Sequence, residues 1–471
     1  IARRYQVVPL KRDGDQLTVA MVDPLDYFAI DEMRISTGCM IVPVIATKEE
    51  VQRAISRIYG MQDSVKELMD DISGHMTVEE EELSAEDSPI VRLVTQMFEQ
   101  AIQLRASDIH IDPQEEGIKI RYRIDGVMRT ERMLPRHMMG ILTARIKIMS
   151  NLNIAERRLP QDGRIEMHVG LKAIDVRVST LPTVYGEKIV MRLLDTTTAL
   201  LELDKLGLTK RNLAVFRDLI SRPNGILLVT GPTGSGKSST LYAALNHLNN
   251  DTVNIITVED PVEYQLEGIN QVQVNTSIGM TFASALRSIL RQDPDIIMVG
   301  EIRDTETAEI AIRAALTGHL VLSTLHTNDA VSSITRLVDM GIPPFLIASS
   351  INGILAQRLV RRVCPHCKQS YTPREDEKEV FARRGLTIEQ LWRGTGCGSC
   401  NSSGYRGRLA IHEVFRMDDT LRRMIVRQMP ASEYKKYALQ HGMILLFDDG
   451  LLKVKQGLTT LEELYRITTR E

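Results

Sequence analysis

Gly231-Pro232-Thr233-Gly234-Ser235-Gly236-Lys237-Ser238 has the residue types and spacing of a loop built to hold phosphate. Glycines let the backbone curl until its N–H groups face inward, and the following helix start adds positive potential. Lys237 is placed to reach the β- and γ-phosphates, and the Ser238 hydroxyl to ligate Mg²⁺. The apolar run Ile226 to Thr230 before the loop predicts a buried strand, and a helix is predicted from Ser238 toward Asn249. A merely structural glycine-rich turn would not require both flanks.

A nucleotide site of this kind needs a carboxylate on a neighbouring strand. Asp295-Ile296-Ile297-Met298-Val299-Gly300-Glu301 supplies one. Four apolar residues bury the strand, and Glu301 emerges at its carboxyl end, where ligands bind in α/β sheets. The position that usually carries a Mg²⁺-holding Asp is Gly300, so metal contact and water activation both fall on Glu301, directly or through water. The alternative is a plain surface carboxylate. Two more segments follow predicted strands. Glu259, Asp260 and Glu263 come after Asn254–Val258, and His326 follows Leu320–Ser323. Carboxylates beside an activated water and a His beside a γ-phosphate make chemical sense. Alone, each is as well explained by helix capping or by a structural His; shared placement at strand ends favours chemistry.

Cys364-Pro365-His366-Cys367 and Cys397-Gly398-Ser399-Cys400 form two Cys-x-x-Cys knuckles separated by 29 residues. Four thiolates suit tetrahedral Zn²⁺ and leave no open position, so the expected role is structural. A redox pair is the rival, and it does not explain two knuckles. Cys39 stands alone and reads as a small buried hydrophobe.

These residues need a scaffold of several domains, since 471 residues exceed one core. Residues 1–60 read as a small α+β unit, with strands at Leu17–Val22 and Ile41–Ile45 and a capping box at Thr47–Glu50. Residues 61–87 hold ten Asp or Glu against Lys66 alone and read as an acidic flexible linker. Ser88-Pro89 opens a helix, and alternating residues around Ile118–Ile124 with Asp125-Gly126 predict a hairpin, within a small α+β domain at 88–198. Residues 199–362 alternate strand cores with helices, the pattern of a parallel α/β sheet. The four Cys occupy 363–411, and 412–471 read as helices.

The net charge of −3 and 4% aromatics argue against a basic, base-stacking channel, and hence against a nucleic-acid translocase, the alternative reading. The apolar run with the best claim to a membrane span, Ile342 to Leu359, contains Pro343, Pro344, Asn352 and Gln357, so membrane action must pass through partners. The opening at Ile1-Ala2 without Met or signal peptide leads us to expect a preceding N-terminal piece.

Gly231–Ser238, Glu259–Tyr264, Ile296–Asp304 and Gly318–Asp329 occur in the order of the four boxes of the secretion ATPase superfamily of type II secretion and type IV pilus motors, which the chain resembles. Leu159–Arg164 and Ser107–His110 also look like that family. The resemblance covers about 88–471, and 1–60 more weakly. It implies a PAS-like domain before a RecA-like ATPase domain (199–471), assembled as a homohexamer that hydrolyses ATP with Mg²⁺. It implies that Arg164 and Arg177 on the small domain, with Arg287 and Arg291, lie near the nucleotide. It further implies a cytoplasmic motor at the inner membrane, docked on platform proteins, while the charge and aromatic content argue against a nucleic-acid partner. The four-Cys insertion resembles assembly or secretion motors rather than retraction motors; secretion and pilus assembly both stay open.

Overall fold

The computed structural model describes residues 1–2, 4–51, 54–55, 88–169, 172–195 and 202–468. The acidic segment 61–87 and the expected 198/199 boundary lie outside them. The chain divides into two compact units, residues 1–197 and 198–471.

The first unit begins with β1 (Val7–Asp13), β2 (Gln16–Met21), α1 (Tyr27–Thr37) and β3 (Met40–Ile45), in a sheet ordered β1-β2-β3. β2 and β3 run parallel through the α1 crossover, which Asp26 caps by accepting from Ala29 N–H. Thr47 and Glu50 make the expected reciprocal capping bonds at 3.1 and 3.3 Å. β1 was not anticipated: Pro9 and the charged residues 11–13 hide its alternation.

Next come α2 (Pro89–Gln103), β4 (Ala106–Pro113), β5 (Ile118–Ile124), β6 (Val127–Leu134), α3 (Met139–Met149), β7 (Gln161–Val169), β8 (Lys172–Thr183) and β9 (Gly186–Asp195). Ser88 precedes α2 but makes no side-chain cap, so Pro89 alone marks that start. The six strands are antiparallel in the order β6-β5-β4-β9-β8-β7. Asp125 and Gly126 both take positive φ in the β5–β6 turn. One face is apolar, with Ile109, Ile120, Val176 and Met191 packed with Leu93, Phe98 and Leu142 of α2 and α3. The other carries a row of directly paired residues, Arg164, Arg177, Arg192, Asp108 and Arg123.

The second unit contains α4 (Lys210–Ile220), β10 (Gly225–Thr230), α5 (Lys237–Leu248), β11 (Ile255–Glu259), β12 (Asn270–Gln273), α6 (Phe282–Ile289), β13 (Ile296–Val299), α7 (Thr305–Leu316), β14 (Leu320–Leu325), α8 (Ser332–Asp339), α9 (Pro344–Ser350) and β15 (Ile351–Val363). It ends with β16 (Lys368–Tyr371), α10 (Glu375–Ala382), β17 (Leu391–Gly394), β18 (Tyr405–Arg416), α11 (Asp419–Val426), α12 (Ala431–Gln440), α13 (Leu446–Lys455) and α14 (Leu461–Ile467). The sheet order is β12-β11-β13-β14-β10-β15-β18. All pairs are parallel except β15–β18. Alternate residues of each strand feed two cores: Ile226, Leu228, Ile297 and Val321 one, Leu227, Val229, Met298 and Leu322 the other. Both faces are covered, which is why the central strands read as unbroken apolar runs.

Two expectations are corrected here. The sheet is mixed, not purely parallel, and 412–471 is not all helix, because β18 runs through residue 416. Its segment Arg406-Gly407-Arg408 breaks the apolar run that would have signalled a strand. The four-Cys segment is thus a hairpin excursion between β15 and β18 carrying its own two-stranded sheet, β16–β17. Among the described residues, no helix is long and apolar enough to cross a membrane; the run 342–359 is α9 followed by buried strand β15.

Candidate active site

β10 is buried at every position and delivers Gly231–Ser238 at its carboxyl end, ahead of α5. Gly231, Gly234 and Gly236 take φ of 151°, 78° and 87°. A Cβ on Gly231 would lie 2.5 Å from the Gln357 carbonyl and from Ser235 Oγ, so only glycine fits there. The loop's buried side is held by a residue the motif does not contain. Gln357 on β15 is 1% exposed; its Nε2 donates to the Ser235 carbonyl (2.7 Å) and its Oε1 accepts from Thr240 Oγ1 (2.8 Å). The available signal is a glutamine that follows the apolar stretch Ile354-Leu355-Ala356 within β15.

Lys237 Nζ donates to the carbonyls of Gly231 (2.9 Å) and Pro232 (3.2 Å). Burial lowers its pKa, Arg358 adds to the fall, and Glu301 opposes it. Ser235 Oγ is buried without a partner, a free polar atom inside the loop. Backbone N–H groups, a cation and unpaired hydroxyl capacity form a donor set suited to phosphate.

Glu301 follows β13 by two residues, its side chain 13% exposed. Arg303 Nη2 lies 2.5 Å from one of its oxygens and His326 Nε2 lies 3.3 Å from the other. Arg303 also approaches Asp260 (3.9 Å), and its guanidinium pKa is raised by the Glu301 bond. The structure thereby brings Glu301, Asp260 and His326 together at the ends of β13, β11 and β14. Arg303 was not anticipated, although it lies inside the resembling box. At Gly300 a Cβ would sit 3.2 Å from the Val258 carbonyl and 3.3 Å from Glu259 Cα. The usual carboxylate position is therefore pressed against β11.

Glu259 is placed differently from its neighbours. Its buried carboxylate accepts from Tyr242 Oη, from Thr257 Oγ1 (2.6 Å) and from Gln271 Nε2 (3.0 Å). Burial, with Glu259 beside it, pushes the Tyr242 phenol strongly up, so it stays a donor. The same phenol oxygen accepts from Glu263 N–H (3.3 Å), fixing the turn that carries the half-buried Glu263. Arg287 pairs with Glu306 at the first turn of α7, while Arg291 bonds the Arg287 carbonyl (2.8 Å). Arg164 and Arg177 are cross-strand partners in the first unit, with Arg164 held by Asp175 (2.6 Å).

The four Sγ atoms of Cys364, Cys367, Cys397 and Cys400 lie within 4.8 Å of one another. Three separations are 3.8, 3.8 and 3.7 Å. A tetrahedron with Zn–S bonds of about 2.3 Å has edges of about 3.8 Å, so the cluster fits that ion. Disulfides would need about 2.05 Å, and all four are free thiols. Cys400 Sγ also accepts from Cys397 N–H (3.2 Å) and Gly404 N–H (3.3 Å), which favours a thiolate.

A phosphate loop at a sheet's carboxyl end, with a carboxylate two strands away, defines a P-loop nucleoside triphosphatase of RecA-like fold. Residues 83–466 match the family model for type II/IV secretion system proteins, and residues 1–65 match the MshEN domain. The type IV pilus assembly ATPase PilB of Myxococcus xanthus is 48% identical over 98% of this chain and 84% of its own length. The type II secretion system ATPase E of Vibrio cholerae is 46% identical, covering 99% and 95%. Among solved structures, the ATPase DotB of Legionella pneumophila shares the fold at TM-score 0.59 and 24% identity, over 79% of this chain and 94% of that one. The pilus retraction motor PilT with bound ADP gives 0.54 and 27%, over 80% and 97%. The chain belongs to the type II/IV secretion ATPase family.

Proposed function

We propose that this protein hydrolyses ATP at Gly231–Ser238 and, as a homohexamer on the cytoplasmic face of the inner membrane, drives assembly of pilus or pseudopilus subunits through platform proteins. The observation that carries the chemistry is Glu301, fixed between Arg303 and His326 and close enough to Lys237 to oppose the fall that burial imposes on the lysine's pKa. Relatives named as pilus-assembly and secretion ATPases support the machine.

On this reading Lys237 and the loop N–H groups bind the phosphates, giving up the two carbonyls that Lys237 holds here. Ser238 and Glu301 would hold Mg²⁺, which supplies charge neutralisation at the phosphates. Glu301 orients and deprotonates the attacking water, Asp260 and Glu263 extend the acidic wall, and His326 stands where a terminal phosphate can be sensed. Arg164, Arg177, Arg287 and Arg291 supply added positive charge as the γ-phosphoryl bond loosens, some of it across domains or subunits. The four Cys hold structural Zn²⁺.

The test is the Mg²⁺-dependent ATPase rate against protein concentration, with sizing by light scattering, for wild type and Lys237→Ala. Activity that rises as hexamers form and is lost in the variant supports the reading. Full activity in a monomer removes the intersubunit part of it.

A further inference from the structure

Among the contacts that hold the loop beginning at His326, three reach it from other strands of the sheet. Thr327 N–H donates to Thr230 Oγ1 (3.0 Å). Arg358 Nη2 donates to the Asn328 carbonyl and Oδ1, both at 3.0 Å. Ala330 N–H donates to Glu413 Oε1 (2.9 Å). The first two come from the strands flanking the phosphate loop. The third has a wider reach, because Glu413 Oε2 accepts from Leu446 N–H (3.3 Å), the first residue of α13. One carboxylate, 3% exposed, therefore bridges the approach to α8 and the start of α13. The N-cap residues Val331 and Leu445 supply no side-chain cap, and at α8 Asp329 accepts from Ser332 N–H (2.8 Å) instead. Leu446 N–H lies at the start of α13, where the positive potential of a helix N-terminus tolerates a buried carboxylate.

We propose that Glu413 is a positioning residue for hydrolysis: it sets the loop that places His326 against Glu301 and ties that loop to the C-terminal helix α13. The inference rests on the reading that His326 acts at the reacting phosphate. Glu413 touches neither Glu301 nor the phosphate loop, so it acts through the loop alone. Movement of His326 as the phosphate site fills or empties then pulls on the start of α13. That helix is locked in turn to β18, where Asp449 accepts from His412 N–H (2.8 Å) and Lys453 donates to the Ala410 carbonyl (2.5 Å). Burial pushes the Glu413 carboxyl up to about 7, Asp329 adding to the rise while the two N–H donors and Lys435 oppose it. A neutral amide is consequently well tolerated by the site's polarity, and Glu413→Gln keeps an acceptor for only one of the two N–H groups.

The test is a kinetic cycle on the full chain with Glu413→Ala, His326→Ala and the double variant, reading kcat and KM for ATP. Expected are a kcat loss of about tenfold or more in Glu413→Ala with KM within about twofold, and a double variant no slower than His326→Ala. Glu413→Gln should fall between alanine and wild type. Losses that multiply, a wild-type kcat in Glu413→Ala, or a KM rise in place of the kcat loss would overturn the proposal. A wild-type rate in His326→Ala would instead refute the underlying reading of the site. If Glu413→Ala does not fold, Glu413→Gln takes its place in the cycle: a kcat loss of about threefold that vanishes in the His326→Ala background supports the coupling, and a wild-type kcat overturns it.

Discussion

His326 Nε2 lies 3.3 Å from Glu301 Oε2, although 24 residues separate them in sequence. The contact exists because β13 and β14 are adjacent parallel strands whose carboxyl ends sit side by side. Arg303 holds the other Glu301 oxygen, so the carboxylate cannot rotate freely. If Glu301 orients and deprotonates the water, Glu301→Gln should lower kcat by roughly 10²- to 10⁴-fold while leaving ATP binding near wild type. The amide keeps the shape and loses the base. Steady-state kinetics with a fluorescent nucleotide titration checks both halves; a kcat within threefold of wild type would exclude Glu301 as the base.

Gln357 makes a separate prediction, because it supports the phosphate loop without being part of it. Replacing it with Leu leaves the Ser235 carbonyl and Thr240 hydroxyl without their partner in a buried setting. Each such loss costs about 1–3 kcal/mol. The loop then loses its shape before the chemistry begins, so KM for ATP should rise more than kcat falls. Thermal unfolding and ATP kinetics on Gln357→Leu test this, and an unchanged KM with an unchanged melting temperature would show the bracket to be dispensable.

How much of this was legible beforehand follows from what each residue's signal depends on. Lys237, Ser238 and Glu301 sit in contiguous stretches whose chemistry needs local spacing, so the chain alone singles them out as candidates. β10, β11, β13 and β14 were legible because burial on both faces leaves unbroken apolar runs. Gln357, Arg358 and Glu413 are placed by β15 and β18, whose pairing depends on a return across more than 40 residues, and no local pattern encodes that register. β18 was hidden further by the arginines at its start. Glu259 shows the reverse case: proximity in sequence to Asp260 and Glu263 suggested a shared role, while strand alternation turns its carboxylate inward to Tyr242, Thr257 and Gln271.

The four-Cys cluster predicts metal content directly. Protein purified without chelator should carry about one zinc per chain by elemental analysis, and Cys397→Ser with Cys400→Ser should lose it. Because the cluster closes the excursion between β15 and β18, metal removal should loosen 364–404 first, seen as faster amide exchange there than in β10 or β14. Retention of full zinc in the double variant would rule out the four-thiolate site.

Acid stability should be governed in part by Glu463 on α14. Its side chain is fully buried, and its two oxygens take Arg361 N–H (3.0 Å), the Arg361 guanidinium (2.5 Å) and Arg466 (2.8 and 2.9 Å). Burial alone would raise the carboxyl pKa, but the bonds from Arg466 and Arg361 outweigh it and bring the value down from 4.5 to about 2. A depressed folded-state pKa means stabilisation that is fully present above the unfolded value of 4.5 and is lost as pH falls toward about 2. The shift corresponds to about 3 kcal/mol at neutral pH. Glu463→Gln should therefore lower the unfolding midpoint of the second unit at pH 7, and its deficit relative to wild type should shrink as pH is lowered from about 5 to 3. Chemical denaturation at a series of pH values reads this out. A deficit that stays constant across that window would mean the arginines stabilise α14 by packing, as the stacking of Arg361 4.1 Å above the Tyr405 ring would allow, rather than by charge.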